Sequence, residues 1–479
     1  MEYEAVIGLE THAELDTRTK LFCGCATTFG TEPNTQTCPV CLGLPGVLPA
    51  LNRKAFEYAL RTALALQCRI APVTTFDRKN YYYPDLPKNY QISQNYVPVG
   101  TDGAVAIPVG GRLKNVHILN VHLEEDAGKL IHPDDNPLAG SLVDLNRAGV
   151  PLVEIVSAPD MRSVHEVESY MHTLRNILLC LEVSDCKMEE GSLRFEASIS
   201  LRPAGATKLG NRVEIKNLNS TAAVLKALQH EIERQTRELE RGNAIEQETR
   251  LWSDADGRTD HMRSKEDAHD YRYFPEPDLV PVSVTDDQIE AARRALPELP
   301  VVRAARFVES CGLSEYDANL LTGERRMAQF FEDSLAVYPQ PKKIANWMTN
   351  QLAATLKEKS WTFAQVRMKP ADLALLVRMV DEGGLSARNA AELLPELVET
   401  GSSPDELVAA RGLKQISDLS GLEATVDKIL AENPKVVADW KAGKAAALNR
   451  LLGSVMKETG GRANPSIVRE LLQKKLSTL

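Results

Sequence analysis

Two stretches of the chain alternate between apolar and polar residues, and a strand that alternates must bury one face and leave the other free for polar contacts. In Ala5–Leu15 the side chains of Ile7, Leu9 and Leu15 fall on one side and those of Glu10, His12 and Glu14 on the other. In residues 116–126, Leu119, Val121, Leu123 and Glu125 share one side, and Asn120, His122, Glu124 and Asp126 share the opposite one. Parallel strands covered on both faces read as unbroken apolar runs, so this alternation predicts an antiparallel sheet with one face in a core and one face rich in carboxylate and imidazole. Ser220 to Arg241 reads instead as a helix, with Val224, Leu225, Leu228 and Ile232 on one stripe and Ser220 placed to cap it.

The texture changes at Leu296-Pro-Glu-Leu-Pro300, after which helical patterns follow one another with short polar joins, and Thr400-Gly-Ser-Ser-Pro404 interrupts them once more. The expected class is α+β, with three units at residues 1–295, 296–405 and 406–479. A length of 479 residues suits that number. The formal charge of -10 argues against bulk electrostatic coating of nucleic acid. Residues 411–479 run the other way, with 12 Lys+Arg against 7 Asp+Glu. That basic tail is either a solvated helical surface or an RNA-facing one. No run approaches the roughly 20 apolar residues of a membrane helix, and the first residues show neither a basic nor an apolar leader pattern, so the expected location is cytoplasmic, with no membrane partner.

The sharpest local motif is Cys23-Gly-Cys25 followed by Cys38-Pro-Val-Cys41. Two close thiol pairs across a short loop suit tetrahedral Zn²⁺ in a closed, structural site. An iron–sulfur or redox role, or four unligated thiols, are the alternatives that this spacing leaves open. Cys68, Cys180, Cys186 and Cys311 read as ordinary buried thiols. A second constellation is acidic: Glu10 with His12, then His122-Leu-Glu-Glu-Asp126, then Met188-Glu-Glu-Gly-Ser192. Each cluster alone is a candidate solvated edge; converging, they would hold Mg²⁺ against substrate phosphates. Neither a P-loop nor a dinucleotide fingerprint is present, so phosphates would have to be held by side chains. The loop Arg78-Lys-Asn-Tyr-Tyr-Tyr-Pro-Asp85 with Lys88, followed by Arg147, Arg194, Lys216 and Arg272, offers the cations. No amidase-type or elbow nucleophile is evident, so any ammonia would come from another chain.

These residues form blocks that resemble one family. Val6-Ile-Gly-Leu-Glu-Thr-His12, Phe29-Gly-Thr-Glu-Pro-Asn34, Cys38-Pro-Val-Cys-Leu-Gly-Leu-Pro-Gly46, Tyr90-Gln-Ile-Ser-Gln94, His122-Leu-Glu-Glu-Asp-Ala-Gly-Lys129, Val143-Asp-Leu-Asn-Arg147, Lys187-Met-Glu-Glu-Gly-Ser-Leu-Arg194 and Asp270-Tyr-Arg-Tyr-Phe-Pro-Glu-Pro-Asp278 are similar to the signature blocks of the GatB/GatE family of tRNA-dependent aspartyl/glutamyl amidotransferases. Ala345-Asn-Trp-Met348, Lys414-Gln-Ile-Ser-Asp418 and Ala463-Asn-Pro465 extend the resemblance over essentially the whole chain. It implies a catalytic cradle related to glutamine synthetase and guanidino kinases, a helical domain and a small helical YqeY-like tail that binds tRNA.

The resemblance also implies an activity: ATP-dependent phosphorylation of the side-chain carboxylate of Glu-tRNA(Gln) or Asp-tRNA(Asn), followed by amidation with ammonia from a glutaminase. The implied partners are the glutamine-hydrolysing amidase and the small linking protein of the GatCAB heterotrimer, the mischarged tRNA, and a non-discriminating aminoacyl-tRNA synthetase. The implied catalytic residues are Glu10, His12, Glu124, Glu125 and Glu190, of which Glu10, His12 and Glu125 hold Mg²⁺. Lys79, Tyr82, Lys88, Arg147 and Arg194 are the expected ATP contacts, and Cys23, Cys25, Cys38 and Cys41 the expected zinc ligands. Because neighbouring strand residues point oppositely, Glu124 and Glu125 can share one ion only at a strand end or bulge. The chain departs from the family pattern at Phe195-Glu-Ala-Ser198, where Cys-Asp-Ala-Asn is usual, at Ala158, and at Ser454 in the tail. A non-catalytic, zinc-stapled tRNA-binding scaffold is the competing class, and ATP cleavage separates the two.

Overall fold

The structure, a computed structural model, describes residues 2–131, 140–264, 271–413, 419–441, 444, 446–460 and 463–478. Asp270 and the Lys414–Asp418 block lie outside the described residues. The chain divides into two compact units, Met1–Val301 and Val302–Leu479.

The first unit is built on a nine-stranded sheet. Across it the strands run Arg258–Ser264, Glu248–Ser253, Val213–Lys216, Leu193–Pro203, Tyr3–Glu14, Pro151–Ser157, Arg112–Glu125, Gly100–Val109 and Arg69–Ile70. All neighbours are antiparallel except Val213–Lys216 with Glu248–Ser253. The alternating Tyr3–Glu14 strand is fifth of the nine, at the centre.

Alternation divides the two faces as expected. Ile7, Leu9, Val121, Leu123, Val153, Ile155, Phe195 and Ala197 are all buried in one core. Helices Arg53–Ala65, Val164–Cys180 and Thr221–Glu240 contribute Ala59, Leu174, Val224 and Leu228 to the same core. Ser220 caps the last of these by accepting from Ala223 N. Burying each large apolar side chain stabilises the unit by about 1.5–3 kcal/mol, so the sheet has a strong reason to keep this face inward and present the acidic one. A three-stranded sheet, Arg272–Pro275, Asp77–Asn80 and Tyr90–Ser93, carries the cationic and aromatic loop residues. Gln94 on its far side accepts from Leu123 N at 3.0 Å, and Gln91 donates to Glu125 O at 2.7 Å.

The second unit is helical among its described residues and holds two apolar cores, one running from Ala304 to Val408 and the other from Leu422 to Leu476.

Candidate active site and structural metal centre

Reading across the sheet at one level gives a row of side chains on the polar face. Arg194 pairs with His12, His12 with Glu154, and Glu154 with His122. Cross-strand partners project to the same face, so the register alone brings these groups together from four strands. His12 Nε2 lies 3.3 Å and His122 Nε2 3.2 Å from Glu154 Oε2. Glu124, two residues along from His122, reaches His122 Nε2 at 3.6 Å. His122 Nδ1 is 2.9 Å from Asn120 Oδ1.

Burial opposes the charged form of both imidazoles, but the Glu154 and Glu124 carboxylates outweigh it, raising His12 and lifting His122 to about 10. Burial likewise opposes the Glu154 carboxylate, and the two imidazoles outweigh it, holding Glu154 well below the usual carboxylate range. Ligand atoms of His12, Glu124 and Glu154 all lie within 4.8 Å of one another. Two carboxylates and an imidazole at that spacing fit a divalent cation, whose charge would replace the protons on the imidazoles.

This is not the ligand set expected from the sequence. Glu125 does not join it: its side chain takes the opposite face, where it accepts from Lys88 Nζ and, at 2.9 Å, from Ile92 N. The strand ends at Glu125, but both carboxylates are still paired in unbroken register, Glu124 with Leu152 and Glu125 with Pro151, so they diverge as alternation requires. Glu10 is on the polar face, one pair further along, opposite Val156 and Glu196. Its carboxyl is pushed up by burial and by Glu154, Glu196 and Glu214. Lys216 Nζ, 2.6 Å from Glu196 and 3.0 Å from Glu214, balances that group. Glu154 is absent from the set that the sequence suggests. Its signal is a single acid in the apolar run Pro151-Leu-Val-Glu-Ile-Val-Ser157.

Among the expected cations, Lys79 and Arg194 flank the row and Arg147 lies in the adjoining cleft. Burial works against the Lys79 ammonium, yet Glu124, Tyr273 and Glu154 hold its pKa above the ordinary value, and its Nζ sits 5.0 Å from the Tyr271 ring centre. Arg194 Nη2 is 2.9 Å from Asp126 Oδ2. Arg147 donates to Ala127 O at 3.0 Å and Gly128 O at 2.7 Å. Glu14, beside Asp126, is raised to about 8 by burial and by that neighbour. A cleft of about 460 Å³ opens here, lined by Glu14, Arg147, Glu190 and Arg194 among others. Glu190 reaches it while paired to Lys187 at 2.7 Å. Two expected contacts are elsewhere. Lys88 is engaged with Glu125 beside the cysteine cluster, and Tyr82 is 80% exposed, whereas its neighbour Tyr81 packs edge-on against Tyr271, the ring over which Lys79 sits.

The four expected cysteines converge. Ligand sulfurs of Cys23, Cys25, Cys38 and Cys41 lie within 4.8 Å of one another, and Cys41 Sγ is 3.9 Å from Cys38 Sγ. Tetrahedral Zn²⁺ with Zn–S bonds of about 2.3 Å needs sulfurs about 3.8 Å apart. Cys38 N donates to Cys41 Sγ at 3.1 Å, and the buried Lys20 ammonium lies 3.7 Å from the same sulfur. A hydrogen bond from Cys23, together with Lys20, draws the Cys41 thiol down to about 4. The donor set therefore fits a closed zinc site.

Residues 5–290 match the family model of the GatB/GatE catalytic domain, and residues 329–476 match the Yqey-type GatB domain. The chain belongs to the GatB/GatE family. It is 51% identical over 477 residues to the B subunit of the aspartyl/glutamyl-tRNA(Asn/Gln) amidotransferase of Thermoanaerobacter sp. (strain X514), with 100% of each chain covered. The B subunit of the same amidotransferase in Caldanaerobacter subterraneus subsp. tengcongensis is 52% identical, again with 100% of both chains covered. Its counterpart in Geotalea uraniireducens is 48% identical over 478 residues, also at full coverage of both chains. Within this GatB/GatE chain, the catalytic-domain match spans every residue of the row, the cleft and the cysteine centre.

Proposed function

We propose that this chain uses ATP to activate the side-chain carboxylate of glutamate or aspartate esterified to tRNA, so that ammonia can convert it to the amide. The observation that carries the reading is the row His12, Glu154 and His122 with Glu124, flanked by Lys79 and Arg194 and adjoining the Arg147 cleft. Such a face is suited to phosphoryl transfer, which needs positioned cations around a developing anion and little covalent help from the protein. The names of its relatives support the tRNA substrate.

A carboxylate resists ammonia because it is an anion and its oxygen leaves poorly. Transfer of the γ-phosphate breaks the bond to ADP and forms a carboxyl–phosphate bond; ammonia then adds to the carbonyl carbon and phosphate departs. His12, Glu124 and Glu154 would hold a divalent cation, which would supply neutralisation of phosphate charge there. Lys79 and Arg194 approach the row to balance the charge of the transferring group, and Arg147 is available along the cleft. Glu154 lies between the two imidazoles, 3.3 Å from His12 Nε2 and 3.2 Å from His122 Nε2, so the three groups turn towards one another on the polar face. The cysteine centre, closed by four thiolates, staples the Cys23–Cys41 loop and takes no part in the chemistry.

The partners in this reading are an amidase that supplies ammonia and a small protein that links the two, with the basic residues 411–479 facing tRNA phosphates. No helix among the described residues is long and apolar enough to cross a membrane, and the proposed location is the cytoplasm. The test is amide formation on Glu-tRNA and Asp-tRNA by the chain assembled with its amidase and linking partners, with ATP, Mg²⁺ and ammonium chloride in place of glutamine. ATP-dependent amide that disappears in His12→Ala supports the reading. Undiminished amide in that variant, or ATP-independent product, sinks it.

A further inference from the structure

The cleft beside the row holds a residue for which phosphoryl transfer has no use. Phe29 is 64% exposed, and its ring lines both this cleft of about 460 Å³ and the adjoining one of about 430 Å³ around Glu14 and Arg18. Exposing a ring forgoes the roughly 1.5–3 kcal/mol that its burial would contribute. A mobile loop could recover part of that by folding the ring inward.

The Phe29 loop is instead held on both sides. Before it, Thr27 Oγ1 donates to Thr17 O, Ala26 bridges to Thr19, and Gln36 Nε2 donates to Thr28 O at 2.8 Å. After it, Asn146 Nδ2 donates to Glu32 O at 2.7 Å, Asn34 N donates to Asp144 Oδ1 at 3.1 Å, and Leu145 N donates to Asn34 Oδ1 at 2.8 Å. The cysteine centre anchors the same segment, with Lys20 N donating to Cys25 O at 2.9 Å. The ring is thus presented to the cleft by a braced frame. Cations share the cleft with it, alongside the carboxylates of Glu14, Asp144, Glu189 and Glu190. Arg147 and Lys129 line the same cleft, and Arg147 Nη1 is directed towards Gly191 on the cleft wall, where a Cβ would come within 3.8 Å of it.

A braced, exposed aromatic face that shares a cleft with cations is the arrangement that binds an unpaired nucleobase and its phosphates. We propose that this cleft takes an adenosine, with its base stacked on Phe29 and its phosphates towards Arg147 and Lys129. The inference rests on the activation reading, because both substrates of that reaction carry an adenosine: ATP, and the unpaired 3′ end of the aminoacyl-tRNA, to whose ribose the reacting amino acid is esterified. An adenosine linked through a few bonds to the carboxylate or the γ-phosphate has to lie close to the row, and this cleft adjoins it at Glu14 and Arg194.

The test is steady-state amidation by the assembled complex with ammonium chloride, measuring KM and kcat for ATP and for Glu-tRNA separately in Phe29→Ala and Phe29→Trp. Loss of a stacking face raises one KM on the order of tenfold or more. A rise for ATP alone assigns the cleft to ATP, and a rise for tRNA alone assigns it to the 3′ end. Phe29→Trp, which restores a stacking face, brings that KM back towards the wild-type value. Unchanged KM values in Phe29→Ala, or a fall in kcat and melting temperature that Phe29→Trp does not rescue, overturn the proposal. If the wild-type complex shows no ATP-dependent amidation, it is the activation reading that fails. Equilibrium binding of deacylated tRNA with and without its terminal adenosine, and of ATP, to wild type and Phe29→Ala then decides the inference by itself: equal affinities in both proteins reject it, and weaker binding of one adenosine-bearing ligand supports it.

Discussion

Among the described residues of the first unit, two clusters are able to hold a metal ion, and they are built in opposite ways. The cysteine centre draws all its candidate ligands from residues 23–41, within one short loop. The His12, Glu124 and Glu154 cluster draws on strands far apart in the chain, and the ladder of the sheet holds them in register. Their electrostatics differ as well. The thiols have the Lys20 ammonium as a close cationic partner, and one such charge is too little for four thiolates, which need a metal cation to coexist. The second cluster balances its own charge, imidazolium against carboxylate. The comparison teaches that a loop site has to be completed by its ion, whereas a sheet site is preorganised by backbone pairing and leaves its ion free to interact with a substrate.

The strongest way to break this comparison is Glu154→Gln. The sheet is held by backbone hydrogen bonds and an apolar face, so the circular dichroism spectrum should be unchanged while ATP-dependent amidation falls by about a thousandfold or more. A fall of less than about tenfold would remove the row from the chemistry. Next in size is the paired change Cys38→Ser with Cys41→Ser, expected to abolish zinc in elemental analysis and to lower stability by about 4 kcal/mol. Mg²⁺ affinity at the row should survive wherever the protein remains folded, and its parallel loss would show that the two sites are not independent.

A third ionic network sharpens the contrast, because it is saturated. Glu231 on Thr221–Glu240 is fully buried and accepts from Arg234 Nε and Nη2 at 2.9 Å each, from Gln235 at 3.0 Å and from Thr259. Burial raises its pKa, but these partners outweigh burial and leave it lowered. A lowered folded-state carboxyl contributes stability that is present above its ordinary value of 4.5 and lost as pH falls through the folded value. Glu231→Gln should therefore cost about 3 kcal/mol at neutral pH and flatten the acid limb of the stability profile, with amidation of the folded protein unchanged. An unaltered acid limb would refute this. The smallest effect is expected for Tyr82→Ala, where the 80% exposed ring predicts amidation within about twofold of wild type and a stability change under about 0.5 kcal/mol. A large KM change for ATP would instead return Tyr82 to the site.

Much of this molecule can be read along the chain. Period-two alternation separates Ile7 and Leu9 from Glu10 and His12, and the spacing of four cysteines in one short segment brings out the loop centre. The same alternation already contains the conflict between Glu124 and Glu125, because adjacent residues of one strand face opposite ways. The change of texture near Leu296 announces a helical second unit, and the blocks from Val6 to Ala463 announce the family.

What the chain could not announce was register. Nothing in Pro151–Ser157 marks Glu154 as the partner of His12 and His122; that follows from antiparallel pairing of Glu154 with one strand on each side. Nor does the sequence give Lys88 to Glu125, or pack Tyr81 against Tyr271 while Tyr82 is left in solvent. Sequence by itself determined which residues share a face and which cysteines share a loop, since both are matters of local periodicity and spacing. Tertiary structure alone decided which of those residues meet, because strands distant in the chain are aligned by the hydrogen-bond ladder and the buried apolar face, and a slip of one residue in a strand would turn its polar-face residues to the wrong side.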